Sequence, residues 1–436
     1  MKDRRQALLD DGSVVGRAWC AAWSQVVDDT LARLLTVAAG TPAPSGIALV
    51  AVGGYGRAEL APSSDVDVWL VHTGTDDMAE LAERIWYPLW DEGLKLGHAV
   101  RSLKDSLVLA ADDLETATSV LSARHVAGDV GVTEELARSG LASWQKRAKK
   151  WLPELARATE ERHARCGEVA FLLEPDLKDG RGGLRDVHAL GWARLAGAEL
   201  FDGDEATLAA AYGTLLDARV ELHRRTGRTG DQLLLQEQDV VAEALGHADA
   251  DSLMKDVAAA ARTIAWTSDE TWRRATTSNG RRGLFGGRRD DGRPLAEWLV
   301  LRDGEVHVAD GADVASDPVL PLRAAAIAAS HATTVDRASL ERMANRSPAL
   351  PSPWPTEARD RLVQLLLAGP AAIRVIEGLD QRGLWTKVLP EWAPREEWSE
   401  EEVVRFAAQK SLCALGVATE REINLHYIRG RYPKLR

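Results

Sequence analysis

Two aspartates separated by one residue carry the strongest chemical signal in this 436-residue sequence. Asp65 and Asp67 flank Val66 at the start of an alternating apolar segment, which is typical of a half-buried strand. Because side chains alternate along a strand, both carboxylates should share one face while Val66 enters the core. Such a pair suits one or two Mg²⁺ ions that keep positions free for substrate phosphates. The spacing predicts attack of an acceptor oxygen at the α-phosphorus of a nucleoside triphosphate.

The segment before these aspartates has the composition of a phosphate-binding turn. An apolar run ends in Gly53 and Gly54, where the missing Cβ atoms allow a sharp turn and close approach to a ligand. Ser63 and Ser64, with the amides around the glycines, are suited to hold the β and γ phosphates. A lone Gly-Gly or Asp-x-Asp is a weak signal, but the two together are more specific. Uncompensated carboxylates beside a buried strand are costly, which favours a metal site over a solvated strand end.

The surrounding sequence predicts an α+β fold, with a small α/β unit followed by mostly helical domains. Strand patterns are few and early, at residues 47–52, 65–72 and 94–103. Apolar residues three and four apart predict helices over much of the rest. The clearest helical segments are 14–38, 76–90, 112–127, 135–163 and 207–226.

Composition excludes several classes of protein. Charged residues make up 28% and the net charge is −12, which argues against nucleic acid as a partner. The three cysteines, Cys20, Cys166 and Cys413, form no Cys-x-x-Cys pair and predict reduced thiols. The sequence has neither a secretory signal peptide nor an apolar run of membrane-spanning length, so we expect a cytoplasmic protein without a membrane partner.

Two motifs resemble the protein-PII uridylyltransferases, bifunctional enzymes that modify the nitrogen-signalling PII protein. The stretch GGYGRAELAPSSDVD resembles the family's nucleotidyltransferase motif, and LEPDLKDGRGGLRDVH at 173–188 resembles its second signature. Segments 98–103, 112–129 and 219–246 also resemble the family, and 389–395 does so more weakly, so the resemblance covers about nine-tenths of the chain. In the second signature, Lys178, Gly182, Gly183, Arg185 and Asp186 match, and Lys178, Arg181 and Arg185 flank a glycine loop that could contact phosphates.

The resemblance implies an architecture and an activity. It implies a polymerase-β-like nucleotidyltransferase domain at 1–135 followed by a helical domain at 136–276. Composition predicts a Gly/Arg-rich linker at 277–292, and we expect a helical connector at 293–397. The resemblance also implies Mg²⁺-dependent transfer of UMP from UTP to a tyrosine hydroxyl of PII. In some actinobacterial-type relatives the transferred group is AMP, so ATP remains an alternative to UTP.

The sequence departs from the family's pattern in its last part. It contains no His-Asp dipeptide, which marks the family's hydrolase domain, and no glutamine-sensing ACT domain. We therefore expect attachment of the nucleotide without its removal. Residues 398–436 resemble the start of a winged helix in a DNA-crosslink glycosylase-like family. We interpret them as a fusion, frameshift or truncation junction, with a helical cap as the alternative.

A third carboxylate usually completes such sites and can act as general base toward the acceptor hydroxyl. The strand at 94–103 contains no acid, and Leu96 and Gly97 stand where related sequences often have one. Asp112, Asp113 and Glu115 are nearby candidates, but a solvated helix start explains them better. The missing acid keeps open a non-catalytic relic that binds nucleotide or PII. A small-molecule nucleotidyltransferase is a further alternative, which the second signature disfavours.

Overall fold

The computed structural model describes residues 1–41, 44–74, 78–281 and 292–390. The side chains of residues 276–281 are outside this description. The chain divides into two compact units, Met1–Gly286 and Gly287–Arg436. The first unit contains both the predicted nucleotidyltransferase domain and the predicted helical domain, and the division falls inside the predicted linker. Predicted segment 398–436, with its winged-helix resemblance, lies outside the described residues.

The first unit begins with a helical hairpin and a small mixed sheet. Its strands are β1 (Ile47–Ala51), β2 (Val66–His72), β3 (Leu96–Ser102) and β4 (Arg124–Gly128). The interleaved helices are α1 (Lys2–Asp10), α2 (Gly16–Ala39), α3 (Gly53–Gly56), α4 (Ala79–Asp91), α5 (Leu103–Ala110) and α6 (Leu114–Leu121). The helices that follow are α7 (Val130–Lys146), α8 (Ala148–Cys166), α9 (Leu184–Leu195), α10 (Asp204–Thr226), α11 (Leu235–Leu245) and α12 (Ala250–Arg281). The α+β prediction is confirmed.

The sheet has the strand order β3-β2-β1-β4 and both of its faces are covered. β1 pairs antiparallel with β2 and β4, whereas β2 and β3 are parallel. Leu49, Val68 and Leu70 belong to the core shared with α2 and α10, and Val50, Trp69 and Val71 to the core on the opposite face. Asp67 shares this second face with Trp69 because they are two residues apart. The predicted strands at 47–52, 65–72 and 94–103 are confirmed within two residues.

Two of the predicted helices are wrong in part. Residues 112–127 form α6 and then β4, because Arg124–Gly128 pairs with β1 and the tertiary ladder overrides the local helical pattern. Residues 135–163 lie in two helices, α7 and α8, separated at Arg147. The break lets Trp144 and Trp151 stack with ring centroids 5.3 Å apart. The helices predicted at 14–38, 76–90 and 207–226 correspond to α2, α4 and α10, although residues 76 and 77 lie outside the described part.

The second unit contains a sheet that the sequence analysis missed. Its three antiparallel strands are β5 (Arg293–Ala296), β6 (Leu299–Arg302) and β7 (Glu305–Val308), where a helical connector was predicted. Asp303 and Gly304 both have positive φ, the backbone that a two-residue hairpin of this type requires. The helices of this unit are α13 (Leu320–Ser330), α14 (Arg337–Arg346), α15 (Thr356–Leu367), α16 (Pro370–Gln381) and α17 (Leu384–Val388). No described helix of either unit is long and apolar enough to span a membrane.

A close backbone contact fixes the turn that follows β1. A Cβ added at Gly56 would lie 2.0 Å from the carbonyl oxygen of Ser122, whereas one at Gly191 would meet nothing within 4 Å. We expect Gly56→Ala to lower the free energy of unfolding by about 2 kcal/mol or more, since the backbone must shift. Gly191→Ala, in helix α9, should raise it by up to about 1 kcal/mol. Urea unfolding of both variants measures these changes in the free energy of unfolding. Equal stability of Gly56→Ala and the unmodified chain would contradict the close contact between Gly56 and Ser122.

Candidate active site

The structure holds Asp65 and Asp67 at the mouth of a cavity of about 320 Å³ in the first unit. Val66 between them is fully buried, so the predicted alternation is present. Asp65 is exposed just before β2, while Asp67 is half-buried. The predicted residues Gly53, Gly54 and Ser64 line the same cavity. Ser63 is not among the residues that line it.

Two glycines make room for the Asp67 carboxylate. A Cβ at Gly53 would lie 2.9 Å from Oδ2 of Asp67, and one at Gly97 would lie 2.1 Å from Oδ1. Gly53 begins α3 with φ +57°, and Gly97 pairs with Asp67 across the parallel strands. The backbone amide of Val52 also donates to the Asp67 carbonyl at 3.0 Å. The carboxylate is therefore enclosed by backbone on two sides and opens toward the cavity.

The electrostatics of the pair fit a divalent cation. Burial, together with the like charge of Asp65, raises the pKa of Asp67 to about 6. The protein's own cations thus leave the paired charge incompletely compensated, and carboxylate oxygens are the ligands that Mg²⁺ prefers. The described residues contain no group of three His, Cys, Asp or Glu side chains able to hold one metal. Asp65 and Asp67 would hold the ion, leaving its other positions to water and phosphate oxygens.

Part of the second signature reaches the cavity and part of it lies behind. Lys178 and Arg185 line the cavity, as expected for phosphate contacts. Gly182 and Gly183 do not line it. A Cβ at Gly182 would lie 2.3 Å from the carbonyl oxygen of Ala261, and one at Gly183 would meet three carbonyl oxygens within 3.0 Å. These glycines serve a tightly packed turn.

Buried Asp186 anchors that turn. Its Oδ1 accepts hydrogen bonds from Arg162 Nη2 at 2.7 Å and lies 2.8 Å from His163 Nε2. Its Oδ2 accepts from the Gly182 amide at 2.7 Å. Arg181 points elsewhere, since its guanidinium pairs with Glu168 and Asp269. Arg181 is also not among the residues that line the cavity, so the structure gives no support to the sequence expectation that it contacts phosphates.

Arg219 is a cavity residue that the sequence analysis did not select. Its Nη2 donates to Ser64 Oγ at 3.2 Å and its Nε to Asp231 Oδ1 at 2.6 Å. Asp231 also lies 3.6 Å from Lys178 Nζ and 2.8 Å from His223 Nε2. Burial by itself would raise the pKa of Asp231. The hydrogen bond from His223 and the charges of Arg219 and Lys178 outweigh this effect and hold that pKa well below its usual range. This ionised carboxylate positions two cations of the cavity, and Arg219 was within the family-like stretch at 219–246.

A second network borders the cavity around Glu59. Arg57 Nε donates to Glu59 Oε2 at 2.8 Å, and His188 Nε2 lies 3.2 Å from the same oxygen. Burial and the charge of Arg57 lower the pKa of His188 to about 4, so its imidazole is neutral at pH 7. Its ring nitrogen also lies 3.0 Å from the Tyr212 hydroxyl. Other lining side chains are Leu60, Leu184, Trp192, Leu216, Glu115, Thr118, Ser119 and Thr229.

The cavity therefore has a charged side and an apolar side. Lys178, Arg185 and Arg219 line it together with the aspartate pair, and Leu184, Trp192 and Leu216 supply apolar surface. Its volume falls at the lower end of the range of small-molecule sites. Fixed cations opposite a pair of carboxylates suit a polyanion that arrives with a divalent metal.

Comparison with known proteins gives consistent matches. The family model described as GlnD PII-uridylyltransferase matches residues 152–272. A bifunctional uridylyltransferase/uridylyl-removing enzyme of Streptomyces coelicolor is 45% identical over 402 residues, which is 89% of this chain and 48% of that protein. Proteins of the same name from Mycobacterium tuberculosis and Corynebacterium glutamicum are 43% and 33% identical, over 80% and 85% of this chain and 44% and 52% of theirs. The chain thus spans about half the length of these relatives.

The raised pKa of Asp67 predicts a pH-dependent stability. Since the folded state binds this proton more tightly than the unfolded state, stability should fall as pH rises from about 4 to about 6 and stay reduced above that range. In buffer containing EDTA at pH 7.5, Asp67→Asn should be more stable than the unmodified chain by roughly 1 to 3 kcal/mol. Denaturant unfolding between pH 4 and 8 checks this. The surface variant Asp112→Asn should show no such gain in stability. If the stability difference between Asp67→Asn and the unmodified chain stayed constant down to pH 4, the raised pKa of Asp67 would be contradicted.

The contacts of Arg219 predict a role in nucleotide affinity. Arg219→Lys keeps a positive charge beside Asp231 but loses the planar guanidinium group, which hydrogen-bonds to Asp231 and Ser64 at the same time. We expect the Kd for a non-hydrolysable UTP or ATP analogue to rise about tenfold, as for loss of one charge-assisted hydrogen bond. Isothermal titration calorimetry measures the effect. Arg157→Lys is the matched control, because Arg157 is exposed and its one ion pair among the described residues is with Glu161 in α8. If the two variants bound the analogue with equal affinity, Arg219 would not contribute to nucleotide binding.

Proposed function

The chain belongs to the PII-uridylyltransferase family, and from this premise we propose that it transfers a nucleotide monophosphate to a PII protein. Substrate, acceptor and metal are part of the proposal, because the chain spans about half the length of the relatives it matches. The observation that carries it is the meeting of Asp65 and Asp67 with Lys178, Arg185 and Arg219 around one cavity. These residues come from segments more than a hundred positions apart and have complementary charge.

The cations of the cavity would bind and orient the triphosphate. Lys178 and Arg219 are held in place by Asp231, so less side-chain entropy is lost when phosphate oxygens replace water around them. Ser64 Oγ, already hydrogen-bonded to Arg219, adds a polar contact on the same side. In this proposal the α-phosphorus would lie near the aspartate pair, and the outer phosphates would lie toward Lys178, Arg185 and Arg219.

Asp65 and Asp67 would hold Mg²⁺. Such an ion neutralises charge on the phosphates and favours in-line displacement of pyrophosphate when it is bound. Burial of Asp67 between the backbones at Gly53 and Gly97 restricts its carboxylate, which would therefore hold an ion with little movement of the side chain. The acceptor is a hydroxyl, which we propose to be a tyrosine of PII.

UTP is the first choice of donor, because the relatives carry the name uridylyltransferase. ATP is the alternative. The residues of this chain contain no His-Asp dipeptide, which supports transfer without removal of the nucleotide by these 436 residues. The missing third carboxylate beside Asp67 favours one rival, a chain that binds nucleotide or PII and does not turn over.

Incubation with PII, Mg²⁺ and radiolabelled UTP or ATP tests the proposal. We expect label on PII from one nucleotide, and a loss of at least a hundredfold in Asp65→Asn and Asp67→Asn because each removes a metal ligand. Asp112→Asn serves as the control, since Asp112 is exposed and pairs with Arg147 away from the cavity. Mg²⁺ should raise the unfolding temperature of the unmodified chain in the presence of nucleotide and not that of the two site variants.

The outcomes separate the rivals. If the folded chain binds one of the nucleotides but transfers no label from either, the chain is a non-catalytic binding protein and the proposed enzyme activity is wrong. Label that is retained in Asp67→Asn would contradict the metal site.

A further inference from the structure

The proposed reaction needs a group that accepts the proton of the acceptor hydroxyl, and the aspartate pair is engaged elsewhere. The acidic side chains that line the cavity among the described residues are Glu59, Asp65, Asp67 and Glu115. With Asp65 and Asp67 assigned to the metal, the two glutamates remain. This inference rests on the proposed function and adds a residue to the same site.

Glu59 is not available as a base. Its Oε2 is bound by Arg57 at 2.8 Å and faces His188 at 3.2 Å, and the side chain is largely buried. Burial by itself would raise the pKa of Glu59, but His188 and Arg57 outweigh this effect and lower that pKa to about 2. Such a carboxylate holds protons weakly and keeps its partners in place, which is a structural task.

Strand β3 supplies no carboxylate beside Asp67. The residue opposite Asp67 is Gly97, and a Cβ there would lie 2.1 Å from Oδ1 of Asp67. Any side chain at this position would displace the Asp67 carboxylate as it now lies. An acid for the acceptor must therefore come from another element.

The three acids at the start of α6 have different surroundings. Asp112 pairs with Arg147 at 3.3 Å and lies 3.7 Å from Lys150. Asp113 caps α6 by accepting from the Thr116 amide at 2.7 Å. Glu115 is exposed and lines the cavity, and within the described part of the chain no hydrogen bond or ion pair holds its carboxylate. The solvated helix start expected from sequence fits all three acids, and Glu115 is the one of them that also lines the cavity.

The face of α6 that carries Glu115 lines the same cavity as the two aspartates. Thr118 and Ser119, three and four residues later, line the same cavity, as helical spacing requires for one face. Glu115 contributes to the negative potential at Asp67, yet it forms no three-acid metal group with Asp65 and Asp67. Its carboxylate thus stands near the metal site without sharing it, on the side of the cavity open to solvent.

We propose that Glu115 is the general base for the acceptor hydroxyl. A carboxylate oxygen of Glu115 takes the hydroxyl proton as the acceptor oxygen forms its bond to the α-phosphorus. The bond between the α-phosphorus and the bridging oxygen to the β-phosphate breaks, and pyrophosphate leaves with that electron pair. The proton on Glu115 then passes to solvent. The open rim at Glu115 is where a protein acceptor can bring its hydroxyl.

The test compares Glu115→Gln with Glu134→Gln, an exposed glutamate of α7 outside the cavity. In the full chain we expect kcat for transfer to fall roughly a hundredfold in Glu115→Gln and to stay within twofold in the control. The Kd values for Mn²⁺ and for a non-hydrolysable nucleotide analogue should both stay within about threefold of those of the unmodified chain. Circular dichroism melting of each variant confirms that it folds.

A change in the acceptor separates a base from a structural role. PII with a fluorotyrosine at the target position has a more acidic hydroxyl, so the defect of Glu115→Gln should shrink at least tenfold with it. An unchanged defect with this acceptor, a kcat equal to that of the control, or a tenfold loss of Mn²⁺ affinity would each overturn the base role. Absence of transfer by the unmodified chain with nucleotide bound would instead count against the proposed function.

Discussion

The structure depends on the enclosure of one carboxylate, that of Asp67, between two strands and a turn. The antiparallel pairing of β1 with β2 brings Gly53 against Oδ2, and the parallel pairing of β2 with β3 brings Gly97 against Oδ1. Neither position has room for a Cβ, so only glycine at both positions allows the Asp67 carboxylate to lie where it does. An ionised group in such a position destabilises the fold unless a cation compensates it. This unfavourable arrangement is what a metal-dependent site would retain and an ordinary strand end would lose.

Buried carboxylates also organise the other side of the cavity. Asp231 holds Lys178 and Arg219, Glu59 holds Arg57, and Asp186 holds the turn that delivers Lys178 and Arg185. Each acid lies where a lone charge would be costly, and each is paired with a cation or another hydrogen-bond donor. The cations are therefore positioned before any ligand arrives, which lowers the ordering cost of binding a triphosphate.

Local pattern was sufficient to predict the first three strands and the aspartate pair, because alternation and a glycine turn act over a few residues. It failed at β4, whose residues Arg124–Gly128 become a strand only by pairing with β1. The Asp-Gly hairpin between β6 and β7 carried a signal that could have been recognised. Lys178 and Arg185 of the second signature reach the cavity, while Gly182 and Gly183 support the turn behind it. Arg219 and His188 lie in family-like stretches, but local pattern did not show that they, or Tyr212, line the cavity, since packing between α9, α10 and the sheet brings them there.

The most direct test of the account is the position of the metal and the nucleotide. We would determine the crystal structure of the chain with Mn²⁺ and a non-hydrolysable UTP analogue, using the anomalous signal of manganese. The account predicts a manganese peak bound by Asp65 and Asp67, with the triphosphate lying between them and Lys178, Arg185 and Arg219. A nucleotide bound in another pocket, or manganese ligated without either aspartate, would contradict it.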